Sequence, residues 1–295
     1  MIVMHNSIIQ IDQVSKTFRN KVVLKDLTLH IPPGSVLGLL GKNGAGKTTL
    51  IKCILGLLKI EWGSIRILGD DPWRLRETSK ERLGYVPQVD RIYPWLTVRQ
   101  LISYTASFYS HWNDALVERL LNEWELSKED QVGLLSEGQA QKLLIILALA
   151  HEPELLIFDE PVASLDPAAR RQFIKTIFEV VADRSCTVFF STHITSDLER
   201  VADRVALLKK GKIDFCGELD VLKDEVKRLH IVSRIPIAQR FSWEGILHCE
   251  SSATEAVVTV RGFTPALKAE IEQKWQAQVH VEDLNLEEIF LELHR

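Results

Sequence analysis

The sequence predicts an α/β fold. A mainly parallel sheet is preceded by an antiparallel β subdomain, interrupted by a helical subdomain and followed by a small α+β appendix. Three observations carry that prediction. From "SVLGLL" onward, short apolar strand-like runs alternate with helical stretches. Residues 89–134 break the alternation with helical periodicity alone, and after about Asp220 mixed strand and helix patterns return.

The elements follow in order. "IIQIDQVSKTF" alternates like a strand, and "KVVLKDLTLHIPPGSVLGLLG" holds two more strand-like runs split by the turn signal Pro32-Pro33-Gly34, so antiparallel strands open the fold. Leu50 to Leu58, "LLIFDE", Pro167 to Val181 and "TVFFSTH" then alternate helix and strand, the pattern of a parallel sheet covered by helices. "TVRQLISYTASFY" and "NDALVERLLNEWEL" make up the inserted helical subdomain, which with the apolar stretch Leu143 to Ala150 spans about 89–150. "LHIVSRI" and "AVVTVRG", helical "TPALKAEIEQKW", "QVHVEDL" and the closing helix "NLEEIFLEL" form the appendix. The domain reading is therefore 1–220 and 221–295.

Composition narrows the function classes. At 295 residues, 46% hydrophobic and 26% charged, the chain has room for one large domain and a small one. A net charge of −4 lacks the basic excess of a broad nucleic-acid footprint, so no nucleic acid partner is expected. Cys53, Cys186, Cys216 and Cys249 are far apart with no CxxC spacing, which fits free thiols in a reducing compartment. No stretch approaches the roughly 20 apolar residues that cross a bilayer. "MIVMHNSIIQIDQV" has neither the charged start nor the apolar core of a signal peptide. Any membrane role is expected to come through a partner.

Two motifs carry chemistry. "GKNGAGKT", Gly41 to Thr48, follows the strand "VLGLL" and opens a helix, the context of a phosphate-binding loop. Gly41, Gly44 and Gly46 let the backbone turn its N–H groups inward, and the helix N-terminus adds positive potential. Lys47 would reach the β- and γ-phosphates and Thr48 would bind Mg²⁺, with Asn43, Ala45 and Thr49 completing the nucleotide cradle. "ELLIFDEP" is an apolar strand ending in two acids. Adjacent strand residues point to opposite faces, so the two need separate tasks: Asp159 for Mg²⁺ and Glu160 for the attacking water.

Together with "YVPQ" ending in Gln88, "LSEGQ" at 135–139, "SLDP" at 164–167 and "STH" ending in His193, these motifs occur in the order found in the nucleotide-binding subunits of ABC transporters. The chain resembles that family from about residue 7 to residue 220. The resemblance implies the P-loop NTPase (ABC ATPase) fold, ATP and Mg²⁺ as cofactors, and a sandwich in which two chains enclose two ATP molecules. Ser136, Gly138 and Gln139 of one chain would meet the ATP held by the other. It further implies that Gln88 senses Mg²⁺ and the γ-phosphate, that His193 contacts the γ-phosphate and attacking water, that Asp166 lines the subunit interface, and that Phe18 stacks on adenine. The implied catalytic set is Glu160, His193, Gln88 and Lys47, and the metal set is Thr48, Gln88 and Asp159.

Three positions depart from the usual pattern: Glu137 replaces a glycine of the signature, Lys142 an arginine and Val162 a threonine. A carboxylate at a helix N-terminus gains about 0.3–1 kcal/mol when it faces water, so Glu137 is expected to point outward. "DRIYPWLTVRQL", with Tyr93, Trp95 and Leu96, stands where the family receives a short helix of its membrane partner; the same rings would equally serve packing within the subdomain. The resemblance implies a separately encoded permease and a peripheral position on the cytoplasmic face of the cell membrane. "NLEEIFLEL" resembles the ending of exporter subunits. The main alternative, a soluble ABC protein acting on ribosomes, usually carries two ATP cassettes per chain, and this sequence has one phosphate loop. A DNA-repair ATPase would need long coiled coils between its nucleotide motifs, and a module that binds ATP without hydrolysing it would not need Glu160 and His193.

Overall fold

A computed structural model describes residues 7–88, 93–184, 186–237, 241 and 243–294. Val89 to Ile92, where the helical subdomain was expected to begin, lie outside the described residues. The chain divides into two compact units, one running to Cys216 and the other from Gly217.

The first unit opens with β1 (Ile9–Phe18) and β2 (Lys21–Ile31), paired antiparallel. After β3 (Val36–Leu40) and α1 (Lys47–Ile54) comes β4 (Trp62–Ile67), which closes an antiparallel sheet of order β2-β1-β4. β4 escaped the sequence reading. Only two of its six residues, Ile65 and Ile67, are buried, so its apolar signal is short. α1 begins at Lys47 rather than Leu50, because the glycine loop opens directly onto the helix. Its end comes before Gly56, whose φ of 69° no helix continues.

α2 (Glu77–Lys80) and β5 (Leu83–Val86) lead to α3 (Val98–Ala106), α4 (Asp114–Glu123) and α5 (Glu137–Ala150). α3 and α4 both pack on α5. From Leu143 to Ala150 every residue of α5 is buried, which explains why its apolar character runs all round the helix.

β6 (Leu155–Asp159), α6 (Pro167–Arg184), β7 (Thr187–Thr192), α7 (Thr195–Val201), β8 (Arg204–Lys209) and β9 (Lys212–Glu218) complete a six-stranded sheet of order β5-β6-β7-β3-β8-β9. The pairs β5–β6, β6–β7, β7–β3 and β3–β8 are parallel. β8 and β9 are joined by Lys210-Gly211 alone, a connection that only antiparallel neighbours allow. β3, β6 and β7 are buried along their whole length, as strands covered on both faces must be. Their C-terminal ends, at Leu40, Asp159 and Thr192, stand side by side. In open parallel sheets that edge is where ligands bind.

The second unit contains α8 (Leu219–Glu225), β10 (Val226–Ser233), β11 (Ile246–Ser251), β12 (Glu255–Arg261), α9 (Pro265–Trp275), β13 (Ala277–Asp283) and α10 (Leu286–Leu293). Its sheet has the order β11-β12-β10-β13, with every pair antiparallel. Leu229, Ile231, Val258, Val260 and Ile271 form its core. β11 also escaped the sequence reading; none of its six residues is buried, so it carries no alternating apolar signal.

Candidate functional site

A cleft of about 460 Å³ opens at the C-terminal edge of the parallel sheet. Asn43, Gly44, Gly46, Lys47, Thr48, Thr49, Gln88, Glu160 and His193 line it, together with Val23 of β2. Gly46 stands at the N-terminus of α1 with φ 111°. A Cβ there would lie 3.1 Å from Leu24 Cδ2 and 3.2 Å from Val23 O, so the turn needs both the freedom and the small size of glycine. The helix that starts there directs its free N–H groups and its positive dipole end at the cleft.

Lys47 Nζ donates to the Gly41 carbonyl at 2.7 Å and stands 3.1 Å from Glu160 Oε1. Lys47 and Glu160 are both buried. The second oxygen of Glu160, Oε2, lies 2.7 Å from His193 Nδ1, whose side chain is half exposed to the cleft. A carboxylate gripped at each oxygen by a different partner has little freedom to rotate.

Asp159 is buried beneath the loop. Its Oδ1 accepts from Thr48 Oγ1 at 3.2 Å and from Ser191 Oγ at 2.7 Å. The expectation that the two acids occupy opposite faces of one strand meets a different geometry. β6 ends at Asp159, and Glu160 takes φ 53°, in the left-handed region. For a residue with a Cβ this conformation costs about 1–2 kcal/mol, a strain typical of functional positions. The turn directs the Glu160 side chain toward Lys47 and His193.

Oxygen donors from Thr48 and Asp159 beside the exposed Gln88 suit Mg²⁺, a hard cation that prefers oxygen ligands. Gln88 is tied to the helical layer through its neighbour: the Gln141 amide of α5 donates to Pro87 O at 3.4 Å. Ala45, half-buried, holds the loop turn by donating its N–H to Lys42 O at 3.0 Å.

Other sequence-derived candidates stand away from this lining. Phe18 ends β1, 42% exposed, with the Lys16 ammonium 5.1 Å from its ring centroid. Ser136 caps α5: its hydroxyl accepts from Gln139 N at 3.2 Å while the Gln139 side chain accepts from Ser136 N at 3.0 Å. Gly138 in the first turn leaves room where a Cβ would come within 3.1 Å of Ser164 O. Glu137 is exposed in the same turn. Asp166 starts α6, accepting from Ala168 N at 2.8 Å and Ala169 N at 3.0 Å, and those backbone bonds hold its carboxyl below the usual range.

Sequence reasoning missed Ser191 and Val23. Ser191 lay in plain view in "STH", two places before His193, but its partners are decided by the pairing of β6 with β7. Val23 is one apolar strand residue among many, and nothing in the local pattern singles it out.

The chain has relatives among known proteins. The family model described as "ABC transporter" matches residues 24–163. The chain is 38% identical over 210 residues to Nod factor export ATP-binding protein I of Burkholderia pseudomallei (strain 1710b), covering 69% of this chain and 68% of that one. It is 30% identical to the protein of the same name from Paraburkholderia xenovorans (strain LB400), over 98% of both chains. Among solved structures, one titled "Structure of ATP binding subunit of ABC transporter" aligns with a TM-score of 0.67 at 31% identity. It covers 74% of this chain and 92% of that one.

Proposed function

The chain belongs to the family of ABC transporter ATP-binding proteins and is an ATPase, and from that premise we propose that two copies close around two ATP molecules to drive a separately encoded membrane permease in export. The observation that supports this reading best is the convergence of Lys47, Thr48, Asp159, Glu160 and His193 on one cleft at the start of α1. Residues 1–220 are the ATP-binding domain, with the helical subdomain at about 89–150, and residues 221–295 are a small α+β domain.

In this reading the loop N–H groups and Lys47 bind the phosphates, because oriented backbone donors and an ammonium together match a polyanion. Mg²⁺ held by Thr48, Asp159 and Gln88 would neutralise charge that develops between the terminal phosphates. Glu160 takes a proton from the attacking water, and His193 keeps the Glu160 carboxylate aligned while facing the γ-phosphate. Phe18 supplies a ring for adenine. The Ser136–Gln139 turn opens α5 with free N–H groups, which a γ-phosphate on the facing copy completes. Asp166 lies at the same interface.

An exposed aromatic run fits the permease contact. Tyr93, Trp95, Tyr104 and Phe108 meet edge to face at 5.1–5.7 Å, yet Trp95 and Phe108 remain 67% and 63% exposed. Exposed apolar patches of this kind mark interaction sites. No described helix is long and apolar enough to cross a membrane, which accords with a subunit held at the cytoplasmic face by its permease. The Nod factor export relatives support export as the direction.

The test is a sizing experiment on Glu160→Gln with and without Mg·ATP. A dimer that forms only with nucleotide supports the sandwich. A monomer at saturating Mg·ATP rejects it.

A further inference from the structure

We propose that Ser191 is a positioning residue for hydrolysis: its single hydroxyl ties the metal-side acid Asp159 to the peptide that aims the base Glu160. The proposal rests on the roles given above to Asp159 and Glu160.

Ser191 lies in β7, fully buried, directly beside Asp159 in the β6–β7 register. Its Oγ donates to Asp159 Oδ1 at 2.7 Å and accepts from Glu160 N at 3.1 Å. The Ser191 carbonyl accepts from the same Glu160 N–H at 3.1 Å. One residue thus supplies both acceptors that hold the Glu160 peptide as the backbone enters its left-handed turn at φ 53°.

The proton direction follows from the partners. A backbone N–H only donates, so a lone pair of the hydroxyl faces Glu160 N and its hydrogen is left to point at Asp159 Oδ1. This leaves Asp159 Oδ1 shared between the hydroxyls of Ser191 and Thr48, which fixes the rotation of the carboxylate toward the loop. It also fixes the point from which the Glu160 side chain departs toward Lys47 and His193. A side chain without a hydroxyl would free Asp159 to rotate and would loosen the turn that Glu160 needs. Loss of position at a reacting group by about 1 Å costs on the order of a hundredfold in rate.

The experiment compares wild type, Ser191→Ala and Ser191→Thr as full chains. Three quantities are read: ATP turnover, the Mg²⁺ dependence of ATP binding by fluorescence titration, and the melting temperature. For Ser191→Ala the expected result is a kcat at least tenfold lower, a KM for ATP within twofold of wild type, and a several-fold higher Mg²⁺ concentration for half-maximal binding. Ser191→Thr, which keeps the hydroxyl, recovers most of both losses. An unchanged Mg²⁺ dependence with kcat within twofold overturns the proposal, as does a threonine variant no better than alanine. If Ser191→Ala melts below the assay temperature, Ser191→Cys takes its place, since its thiol preserves volume and donates weakly. A raised Mg²⁺ requirement in that variant supports the proposal and a wild-type one overturns it. Failure of wild type to bind Mg·ATP would instead strike at the site assignment itself, so the two failures are separable.

Discussion

Lys47 Nζ and Glu160 Oε1 are 3.1 Å apart, with each side chain only 6% exposed. The residue proposed to grip phosphate and the residue proposed to activate water therefore form one buried ion pair, closed on its far side by His193. A change at either end acts on both binding and chemistry, and the predictions separate the two.

Glu160→Gln keeps the size of the side chain at its place between Lys47 and His193 while removing the carboxylate proposed as the base. Turnover is expected to fall by about 10²–10⁴, the usual worth of general base catalysis, with ATP binding retained. Single-turnover phosphate release and nucleotide titration together check this, and a rate near wild type would remove Glu160 from the mechanism.

Lys47→Ala takes away a charge-assisted donor and is expected to weaken ATP binding by roughly 10- to 100-fold. It also strands the buried Glu160 carboxylate. Breaking one side of a buried pair costs about 3–5 kcal/mol of stability, so the variant should melt early. The double variant Lys47→Ala/Glu160→Gln should regain part of that stability but none of the affinity. Denaturant titrations of the three proteins decide it; a double variant as unstable as the single one contradicts the pairing.

Ser136→Ala removes the hydroxyl that caps α5, a loss of about 1 kcal/mol to the helix end. ATP-driven dimerisation, measured in a Glu160→Gln background, should weaken more than ATP binding by the monomer. Equal losses would detach the signature turn from the facing site.

Trp95→Asp puts charge into the exposed aromatic run without touching the nucleotide cleft. Co-purification of the permease from detergent extracts should fall sharply while ATP binding stays within twofold. Undiminished co-purification would move the permease contact elsewhere.

Asp70 connects β4 to α2 by accepting from Arg76 Nε at 3.0 Å, Arg76 N at 3.2 Å and Ser79 Oγ at 2.6 Å. The Arg76 side chain first, then the Ser79 hydroxyl, hold its carboxyl down from 3.8 to about 2. A group with a depressed folded-state pKa binds fewer protons folded than unfolded, so its stabilising effect is complete above about pH 4 and disappears as pH falls toward 2. Asp70→Asn should therefore be less stable than wild type at pH 6, with the gap closing across that window. A constant gap in acid titrations followed by circular dichroism would contradict the assignment.

The sequence by itself determined the fold class, the phosphate loop and the order of the site motifs, because these rest on local patterns. Glycine spacing at 41–48, the apolar strand-like runs and the motif "LSEGQ" at 135–139 are each written within a few neighbouring residues. Such signals survive without knowledge of any distant contact. β4 and β11 were invisible for the converse reason: their residues are largely exposed, and their place in a sheet is decided by partners rather than by their own apolarity.

Only the tertiary structure decided how the acids work together. In sequence Asp159 and Glu160 read as opposite faces of one strand, but β6 stops between them and Ser191 braces the left-handed turn. That brace spans 32 residues from Asp159 and exists only once β6 and β7 pair in register. Hydrogen bonds depend on distances of about 3 Å and on direction, which a linear order of residues does not contain until the chain has folded.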